Sequence, residues 1–356
     1  MIKSRIEKLQ SQLENNEAML ITSGVNRFYY TGFKSSAGVV VITKDDAYLL
    51  IDFRYIEKAK SAIDCLKVML SQRQNSEIYD VLKKHNIKKL YLEADSVSIS
   101  EFSMYKSEFE GIEVSSNDKM TKFITLSRSV KSKQEINNII EAQKITDATF
   151  DYITKNICAG KTEKEVMLDM EFFMRKLGGE GVSFDFIVVS GKNSSLPHGV
   201  PTDKKIENGD FVTMDFGCLY NGYCSDMTRT IAVGSVSDEQ KHVYNTVLKA
   251  QLAALDVVKA GVVCKDVDKV ARDIIYNAGF EGCFGHGLGH SLGIEVHESP
   301  AFNTRDTSVL AEGTVMTVEP GIYLENKFGV RIEDMVVATA DGCINLTHSP
   351  KELIIV

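Results

Sequence analysis

Several features are missing from this 356-residue sequence, and their absence excludes whole classes of protein. It has no run of 18 apolar residues, so no transmembrane helix is predicted. Basic residues do not predominate, because 41 Lys and Arg stand against 49 Asp and Glu. The formal net charge of −8 argues against a nucleic-acid-binding face, which must be basic. Tryptophan is absent and proline is scarce, but 44% hydrophobic and 25% charged residues exclude a disordered or collagen-like chain.

The cysteines and the N-terminal residues both predict a cytoplasmic protein. The seven cysteines are odd in number and scattered, and they include no C-x-x-C pair, which favours reduced and mostly buried thiols. The chain begins with charged residues but has no continuous apolar stretch behind them. Polar residues separate Leu9, Leu13 and Leu20, and this spacing is typical of an amphipathic helix and not of a signal peptide.

Two domains are predicted, because 356 residues exceed the size at which one hydrophobic core usually stops growing. Residues 1–125 alternate short apolar runs with amphipathic stretches, as α/β domains do. The charged, serine-rich residues 126–133 show no periodicity, so the second domain is predicted to span residues 126–356. Its first helix is predicted to begin at a capping box formed by Ser132 and Glu135 and to continue to residue 157.

Hydrophobic periodicity predicts the other secondary-structure elements. The first domain is predicted to contain strands at residues 18–22, 38–43, 47–52, 66–70 and 90–93 and helices at residues 54–63 and 78–85. The second is predicted to contain helices at residues 162–177, 238–260 and 265–278 and strands at residues 186–189, 211–216, 225–233, 314–319 and 330–337.

A hairpin with two acids is the first candidate for chemistry. Asn221-Gly222 is a strong signal for a two-residue turn, which would pair Asp215 on one strand with Thr228 on the next. Because alternate residues of a strand share a face, Asp226 becomes a diagonal neighbour of Asp215, roughly 7–8 Å away at the backbone. Either this face is exposed to solvent, or a proton, a basic residue or a metal compensates the repulsion.

A second pair of acids has the same form. Glu319 ends the apolar strand at residues 314–319, and Glu333 lies with Arg331 on one face of the following strand. Two hairpins that each bring two acids together favour a shared buried site over two solvated surfaces.

Four of the seven histidines lie within 100 residues of one another: His198, His286, His290 and His297. His286 and His290 are four residues apart among four glycines in segment 285–293. The H-E-x-x-H zinc motif has this spacing, but it needs a helix and a glutamate, and the glycines disfavour a helix. The segment is therefore predicted to be a turn where the backbone approaches a ligand.

Charge counting limits the metal that such a cluster would hold. The four acids Asp215, Asp226, Glu319 and Glu333 carry four negative charges, which two divalent cations would neutralise. An oxygen-rich donor set with one imidazole, from His290, suits Mn²⁺, Co²⁺, Fe²⁺ or Zn²⁺. Two such ions about 3.5–4 Å apart can share a hydroxide.

The order Asp, Asp, His, Glu, Glu, with its local contexts, closely resembles the creatinase/aminopeptidase metallopeptidases of the pita-bread fold. The resemblance covers the whole chain. It implies an α+β protein, in which a smaller α/β domain of the creatinase/prolidase N-terminal type precedes a pita-bread catalytic domain. All five ligand positions are filled and the N-terminal domain is present, which favours the Xaa-Pro peptidases over creatinase, methionine aminopeptidase and the non-catalytic relatives.

The resemblance also implies the metal ligands. Asp215 would chelate one metal ion, and His290 and Glu319 would bind the other. Asp226 and Glu333 would bridge the two ions.

The remaining site residues match the catalytic groups of that family. Glu319 is implied as the proton shuttle of the hydroxide nucleophile. His198, His286 and His297 would hold the substrate and stabilise the intermediate, and Arg331 matches an arginine beside the bridging acid in the proline-specific members.

The resemblance therefore implies a dinuclear exopeptidase that hydrolyses the bond before proline. An Xaa-Pro dipeptidase (prolidase) is the main prediction, with a proline-containing dipeptide as substrate and Mn²⁺ as the expected metal. Aminopeptidase P acting on longer peptides is the alternative, and a non-catalytic binding module on the same fold is a remote one. A homodimer is also implied, in which the small domain of one subunit covers the site of the other.

Overall fold

The computed structural model describes all residues from Met1 to Val356. The chain consists of two structural units, Met1–Ser127 and Arg128–Val356. Helices and strands are mixed in both units, which confirms the predicted α+β class. None of the helices combines the length and the apolar character that crossing a membrane requires.

The first unit is built on one six-stranded sheet in the order β4-β3-β2-β1-β5-β6. Its strands are β1 Glu17–Ile21, β2 Val39–Thr43, β3 Ala47–Ile51, β4 Lys67–Leu70, β5 Lys89–Leu92 and β6 Glu113–Ser115. Its helices are α1 Ile2–Ser11, α2 Gly24–Thr31, α3 Ile56–Ala62, α4 Gln74–Lys84 and α5 Ile99–Glu108, and α6 Lys119–Ser129 follows. Every residue of β2 and β3 is buried, which explains why both read as continuous apolar runs.

The strands predicted at residues 38–43 and 47–52 are confirmed, and they pair as an antiparallel hairpin with Val39 opposite Leu50. The aperiodic character predicted for residues 126–133 is wrong for its first four residues, which form the last turn of α6. The helical signal lies upstream, where the buried Met120 and Ile124 are four residues apart on one face of the helix.

The second unit combines four helices with four small sheets. The helices are α7 Lys133–Thr154, α8 Glu163–Lys176, α9 Asp238–Val257 and α10 Cys264–Asn277. The strands are β7 Gly181–Val182, β8 Ile187–Ser190, β9 Phe211–Phe216, β10 Cys218–Tyr220, β11 Tyr223–Cys224, β12 Met227–Ala232, β13 Gly289–Ser291, β14 Glu298–Phe302, β15 Val315–Val318, β16 Gly321–Leu324, β17 Phe328–Arg331, β18 Asp334–Ala338 and β19 Cys343–Asn345. The sheet orders are β11-β10-β7, β12-β9-β8, β14-β13-β15-β18-β19 and β16-β17.

Local sequence signals fix the start of α7 and α8. The predicted capping box at Ser132 and Glu135 is confirmed, and its two reciprocal contacts begin α7. The same arrangement, from Thr162 to Glu165, begins α8. Each box satisfies two N–H groups that the first turn of a helix leaves without partners.

The turn at Asn221-Gly222 sets the register of the first acidic hairpin. Both residues have positive φ angles, 48° and 79°, as a two-residue hairpin turn requires. The pairing of Asp215 with Thr228 is confirmed. The ladder is interrupted at Gly217, where a Cβ atom would lie 1.9 Å from the carbonyl oxygen of Ser225, so only glycine fits.

The strand predicted at residues 330–337 is interrupted. β17 ends at Arg331 and pairs with β16, whereas β18 begins at Asp334 and pairs with β15. The chain passes from one sheet to another at residues 332–333, between β17 and β18. It also changes sheets at Glu319 and Pro320, between β15 and β16. Both acids of the second pair therefore lie at breaks between strands, where a side chain can turn into the site.

Candidate metal centre

The first two acids lie side by side on the β9–β12 hairpin. Asp215 is on β9, and its Oδ2 accepts a hydrogen bond of 2.6 Å from Nη2 of Arg331. Asp226 immediately precedes β12, and only 4% of its surface is exposed. The hairpin register, set by the turn, thus delivers two carboxylates to one face of the sheet.

Glu333 and Glu319 reach the same place from the second pair of strands. Glu333 is 1% exposed, and its Oε2 accepts a hydrogen bond of 2.7 Å from Oγ1 of Thr228. Oε1 of Glu319 accepts a bond of 3.0 Å from Oγ1 of Thr317. Thr228 also faces Asp215 across the first hairpin, so it joins the two acid pairs.

His290 brings an imidazole to the four acids. Its Nδ1 lies 3.2 Å from the carbonyl oxygen of Ser291, which favours the tautomer with the proton on Nδ1. Its Nε2 lies 3.6 Å from Oδ2 of Asp226 and 3.3 Å from Oε1 of Glu319. One ligand atom each from Asp226, His290 and Glu333 lie within 4.8 Å of one another.

The turn predicted for the glycine-rich segment 285–293 is wrong for Gly289–Ser291, which form strand β13. The glycines serve the approach of neighbouring strands. A Cβ atom at Gly289 would lie 2.1 Å from the carbonyl oxygen of Thr317, and one at Gly287 would lie 2.8 Å from that of Phe302. The close approach of neighbouring backbone explains these two glycines.

Burial and repulsion between the carboxylates raise the pKa values of three of the four acids. Burial raises the pKa of Asp226 well above its ordinary value, and the neighbouring carboxylates, Glu333 first, raise it further. Burial and the charge of Glu319 raise the pKa of Glu333 in the same way. Burial also raises the pKa of Asp215, although the guanidinium of Arg331 opposes this.

Glu319 and His290 behave differently, because they contact each other. Burial opposes ionisation of Glu319, but its hydrogen bond and charge interaction with His290 lower its pKa to about 2. Burial lowers the pKa of His290, but the contact with Glu319 outweighs this effect, so the net pKa is raised. One imidazole therefore compensates Glu319 and one guanidinium contacts Asp215, whereas Asp226 and Glu333 need a further positive partner.

The donor atoms fit divalent metal ions. Oδ1 of Asp215 and Oε1 of Glu333 are buried and have no hydrogen-bond partner in the chain. A buried carboxylate oxygen without a donor is costly, and a bound cation would remove that cost. Several carboxylates with one imidazole nitrogen suit Mn²⁺, Co²⁺, Fe²⁺ or Zn²⁺.

Arg331 connects the acids with a tyrosine and a histidine. Its Nη1 donates to Oη of Tyr323 at 2.8 Å, and that hydroxyl lies 3.0 Å from Nε2 of His286. Nδ1 of His286 lies 2.8 Å from the carbonyl oxygen of Gly287. Burial lowers the pKa of His286, in keeping with a neutral ring that donates from Nδ1 and accepts from Tyr323.

The other two predicted histidines border the same cavity. His297 packs against His290 with ring centroids 4.4 Å apart, and burial lowers its pKa. His198 lies on the loop after β8, and its side chain is exposed. The cavity has a volume of about 1030 Å³, and all four acids, the four histidines and Arg331 line it. The structure therefore brings together every site residue that the sequence predicted.

Two family models match the chain. "Metallopeptidase family M24" matches residues 137–340, and "Creatinase/Prolidase N-terminal domain" matches residues 5–126. The chain belongs to metallopeptidase family M24. This membership confirms the predicted pita-bread fold, makes the protein a metal-dependent peptidase and implies divalent metal ions.

Similar M24 proteins extend over the full length. The Xaa-Pro dipeptidase of Pyrococcus furiosus is 38% identical, over 99% of this chain and 100% of its own. The solved Xaa-Pro dipeptidase from Bacillus anthracis is 41% identical, with a TM-score of 0.95 and full coverage of both chains. The X-Pro aminopeptidase from Thermotoga maritima is 39% identical, with a TM-score of 0.91, and covers 98% of this chain and 100% of its own.

Two residues of this M24 site were not predicted as site residues. Thr228 lies two positions after Asp226, so strand alternation already placed it on the acid face, and this signal was available. Tyr323 gave no signal, because its hydroxyl meets His286 and Arg331 only through the pairing of β16 with β17.

Proposed function

We propose that this chain is a dinuclear metallo-exopeptidase that hydrolyses the bond before proline in Xaa-Pro dipeptides. One observation carries the proposal. Four carboxylates, two buried and two partly buried, meet one imidazole in a cavity of about 1030 Å³, and two of the four have an oxygen without a hydrogen-bond partner. The similar Xaa-Pro dipeptidases match this chain along its full length, which supports the same activity here.

Five side chains would hold the metal ions. We assign Asp215 to one ion, His290 and Glu319 to the other, and Asp226 and Glu333 as bridges. We expect Mn²⁺, with Co²⁺, Zn²⁺ or Fe²⁺ as substitutes of similar donor preference. Bound divalent ions would act as Lewis acids and supply hydroxide at neutral pH.

The chain's own residues would bind the substrate and move its protons. Glu319 lines the cavity, and it would take the proton of the attacking water and deliver it to the proline nitrogen. His198 and His297 border the cavity and would donate hydrogen bonds to the scissile carbonyl oxygen as it gains negative charge. Arg331, held by Tyr323, would keep Asp215 in place.

One cation favours a dipeptide over a longer substrate. Arg305 lines the cavity, and its guanidinium has no side-chain partner in the chain. By contrast, Lys164 at the cavity is paired with Asp203 at 3.1 Å. A free guanidinium suits the terminal carboxylate of a dipeptide, which it can bind through two parallel hydrogen bonds.

Hydrolysis of longer peptides is the second candidate function. The similarity to the X-Pro aminopeptidase from Thermotoga maritima favours it. A non-catalytic binding module is the remote candidate, and the complete set of acids and histidines argues against it.

The organisation of the protein completes the proposal. We expect the N-terminal domain to end near residue 125, and the protein to act in the cytoplasm as a homodimer in which the small domain of one subunit covers the other's site. Light scattering tests the assembly, and a monomer mass would exclude it.

A single assay decides between the functions. Purified protein is freed of metal, loaded separately with Mn²⁺, Co²⁺ or Zn²⁺, and given an Xaa-Pro dipeptide or Xaa-Pro-Xaa peptides. Faster cleavage of the dipeptide supports the dipeptidase, and faster cleavage of the longer peptides supports the aminopeptidase. Stoichiometric metal binding without any cleavage favours the binding module.

A further inference from the structure

Glu163, the first residue of α8, is a buried acid outside the metal centre. None of its surface is exposed. Its two oxygens contact different parts of the chain. Oε1 accepts from the backbone N–H of Ser190 at 2.6 Å and from that hydroxyl at 2.9 Å. Oε2 accepts from the backbone N–H of Thr202 at 3.0 Å and from that hydroxyl at 2.6 Å.

The two residues that Glu163 holds are the two ends of one loop. Ser190 is the last residue of β8, and residues 191–201 follow it up to Thr202. Asn193, inside this loop, adds a side-chain hydrogen bond of 3.1 Å to Oε1. One carboxylate thus closes the loop, and the backbone of both ends is fixed through the same group.

This loop carries groups of the site. His198 lies on it, and Pro197 accepts a hydrogen bond of 3.2 Å from Nη1 of Arg331. The side chain of His198 makes no hydrogen bond within the chain, so the position of its ring depends on where the loop places its backbone. Only the short 3₁₀ helix Gly191–Ser195 gives the loop regular structure, and it ends before His198.

We infer that Glu163 is a positioning residue, which closes the 191–201 loop and thereby sets the place of His198 over the cavity. The inference rests on the proposed function only for what His198 does there. The closure itself follows from the contacts of the carboxylate.

The chemistry of the contacts requires a carboxylate at this position. All groups that contact Glu163 are N–H or O–H donors, and each oxygen accepts one backbone N–H. In Glu163→Gln the amide NH₂ would face the N–H of Ser190 or that of Thr202, whichever way the amide is turned. No rotation can satisfy both ends, so one end of the loop loses its hydrogen bond to this side chain.

The matched control is Glu165→Gln on the same helix. Glu165 is exposed and accepts only from the backbone and hydroxyl of Thr162 in the capping box. Glutamine is tolerated at this capping-box position, so the helix should remain intact. Both variants remove one negative charge from the same turn of α8.

The test combines hydrogen exchange with a double-mutant cycle on the metal-loaded enzyme. In Glu163→Gln we expect faster amide exchange at residues 191–201 and a loss in kcat/KM of roughly 10- to 100-fold, as for residues that orient a catalytic group. In the His198→Ala background the same substitution should cost nothing further. Glu165→Gln should change neither readout.

Several results would overturn the inference. These are unchanged loop exchange in Glu163→Gln, unchanged activity, an equal further loss in the His198→Ala background, or full activity of His198→Ala itself. If Glu163→Gln does not fold, Thr202→Val removes one donor from Oε2 and is measured in the same cycle. Loop exchange needs no substrate, so failure of the wild type to cleave Xaa-Pro peptides contradicts the proposed function and leaves the closure of the loop to be judged separately.

Discussion

Two buried acids, Glu93 in the first unit and Glu333 in the second, differ in how the chain satisfies them. Glu93 is fully buried and accepts five hydrogen bonds from Thr22, Ser23 and Asn26 at the start of α2. Glu333 is also buried, but it accepts one bond, and its Oε1 has no partner. An acid supplied with donors by its own chain stabilises the fold, whereas one lacking donors marks a place for a cation.

The largest effect on activity is expected from a substitution among the acids that lack hydrogen-bond donors. In Asp226→Asn we expect metal content to fall and kcat/KM to drop at least about 100-fold, since the loss of a ligand should exceed that of an orienting residue. In chelator, however, this variant should be more stable than the wild type, because it removes one of several like charges that raise the pKa of Asp226. Elemental analysis, kinetics and urea unfolding measure the three quantities. Full activity would end the proposed metal assignment.

The satisfied acid should respond in the opposite way. In Glu93→Gln the free energy of unfolding should fall by about 1–3 kcal/mol, because the amide NH₂ would face donors at the start of α2. Metal content should not change. Urea unfolding measures the effect, with the exposed Glu57 of α3 changed to Gln as the control. A neutral or stabilising result would break the comparison.

Two arginines, Arg27 in the first unit and Arg305 in the second, differ in the same way in how the chain satisfies them. The buried Arg27 donates to the carbonyl oxygens of Thr22, Ser35 and Gly38, whereas Arg305 lines the cavity without a side-chain partner. We expect Arg305→Gln to reduce kcat/KM roughly 10-fold for an Xaa-Pro dipeptide and little for its C-terminal amide, since one hydrogen-bonded charge pair is lost. Equal losses on both substrates would contradict carboxylate binding. Lys164→Gln is the matched control at the same cavity.

The smallest effect should come from an acid on the surface of the first unit. Asp46 is paired with Lys67 at 2.6 Å, and this hydrogen bond is the main cause that lowers its pKa. A lowered pKa contributes stability above the unfolded value, near 4, and this stability is lost as the pH falls through the folded value. The contribution should be below about 1 kcal/mol, and Asp46→Asn should remove it. Urea unfolding from pH 6 to pH 2 measures it, and identical pH profiles for variant and wild type would show that the pair contributes nothing.

Much of the fold follows from local signals in the sequence. The capping box at Ser132 and Glu135 and the turn at Asn221-Gly222 act within a few residues, so the helix start and the hairpin register were predictable. The interruption between Arg331 and Asp334 was not, because an apolar run does not show that its two halves pair with different strands. Strand β13 was missed for the same reason, since its partners β14 and β15 lie further along the chain.

The candidate site divides in the same way. The residue types and their order predicted which side chains meet, and their roles as ligands and catalytic groups remain predictions. The closing role of Glu163 could not be predicted, because its two oxygens meet residues 27 and 39 positions away. In the sequence it is an ordinary acid in the first turn of a helix.

The sequence by itself determined the set of acids and histidines, the start of α7 and α8 and the register of the first acidic hairpin, because these depend on residue type and short spacing. Only the tertiary structure decided which of those acids lack donors. Thr228 reaches Glu333 across 105 positions, and Arg331 reaches Asp215 across 116. Whether a buried carboxylate oxygen has a hydrogen-bond donor depends on which segments, distant in the sequence, pack against it. The presence or absence of those donors separates a structural acid such as Glu93 from one that needs a metal ion.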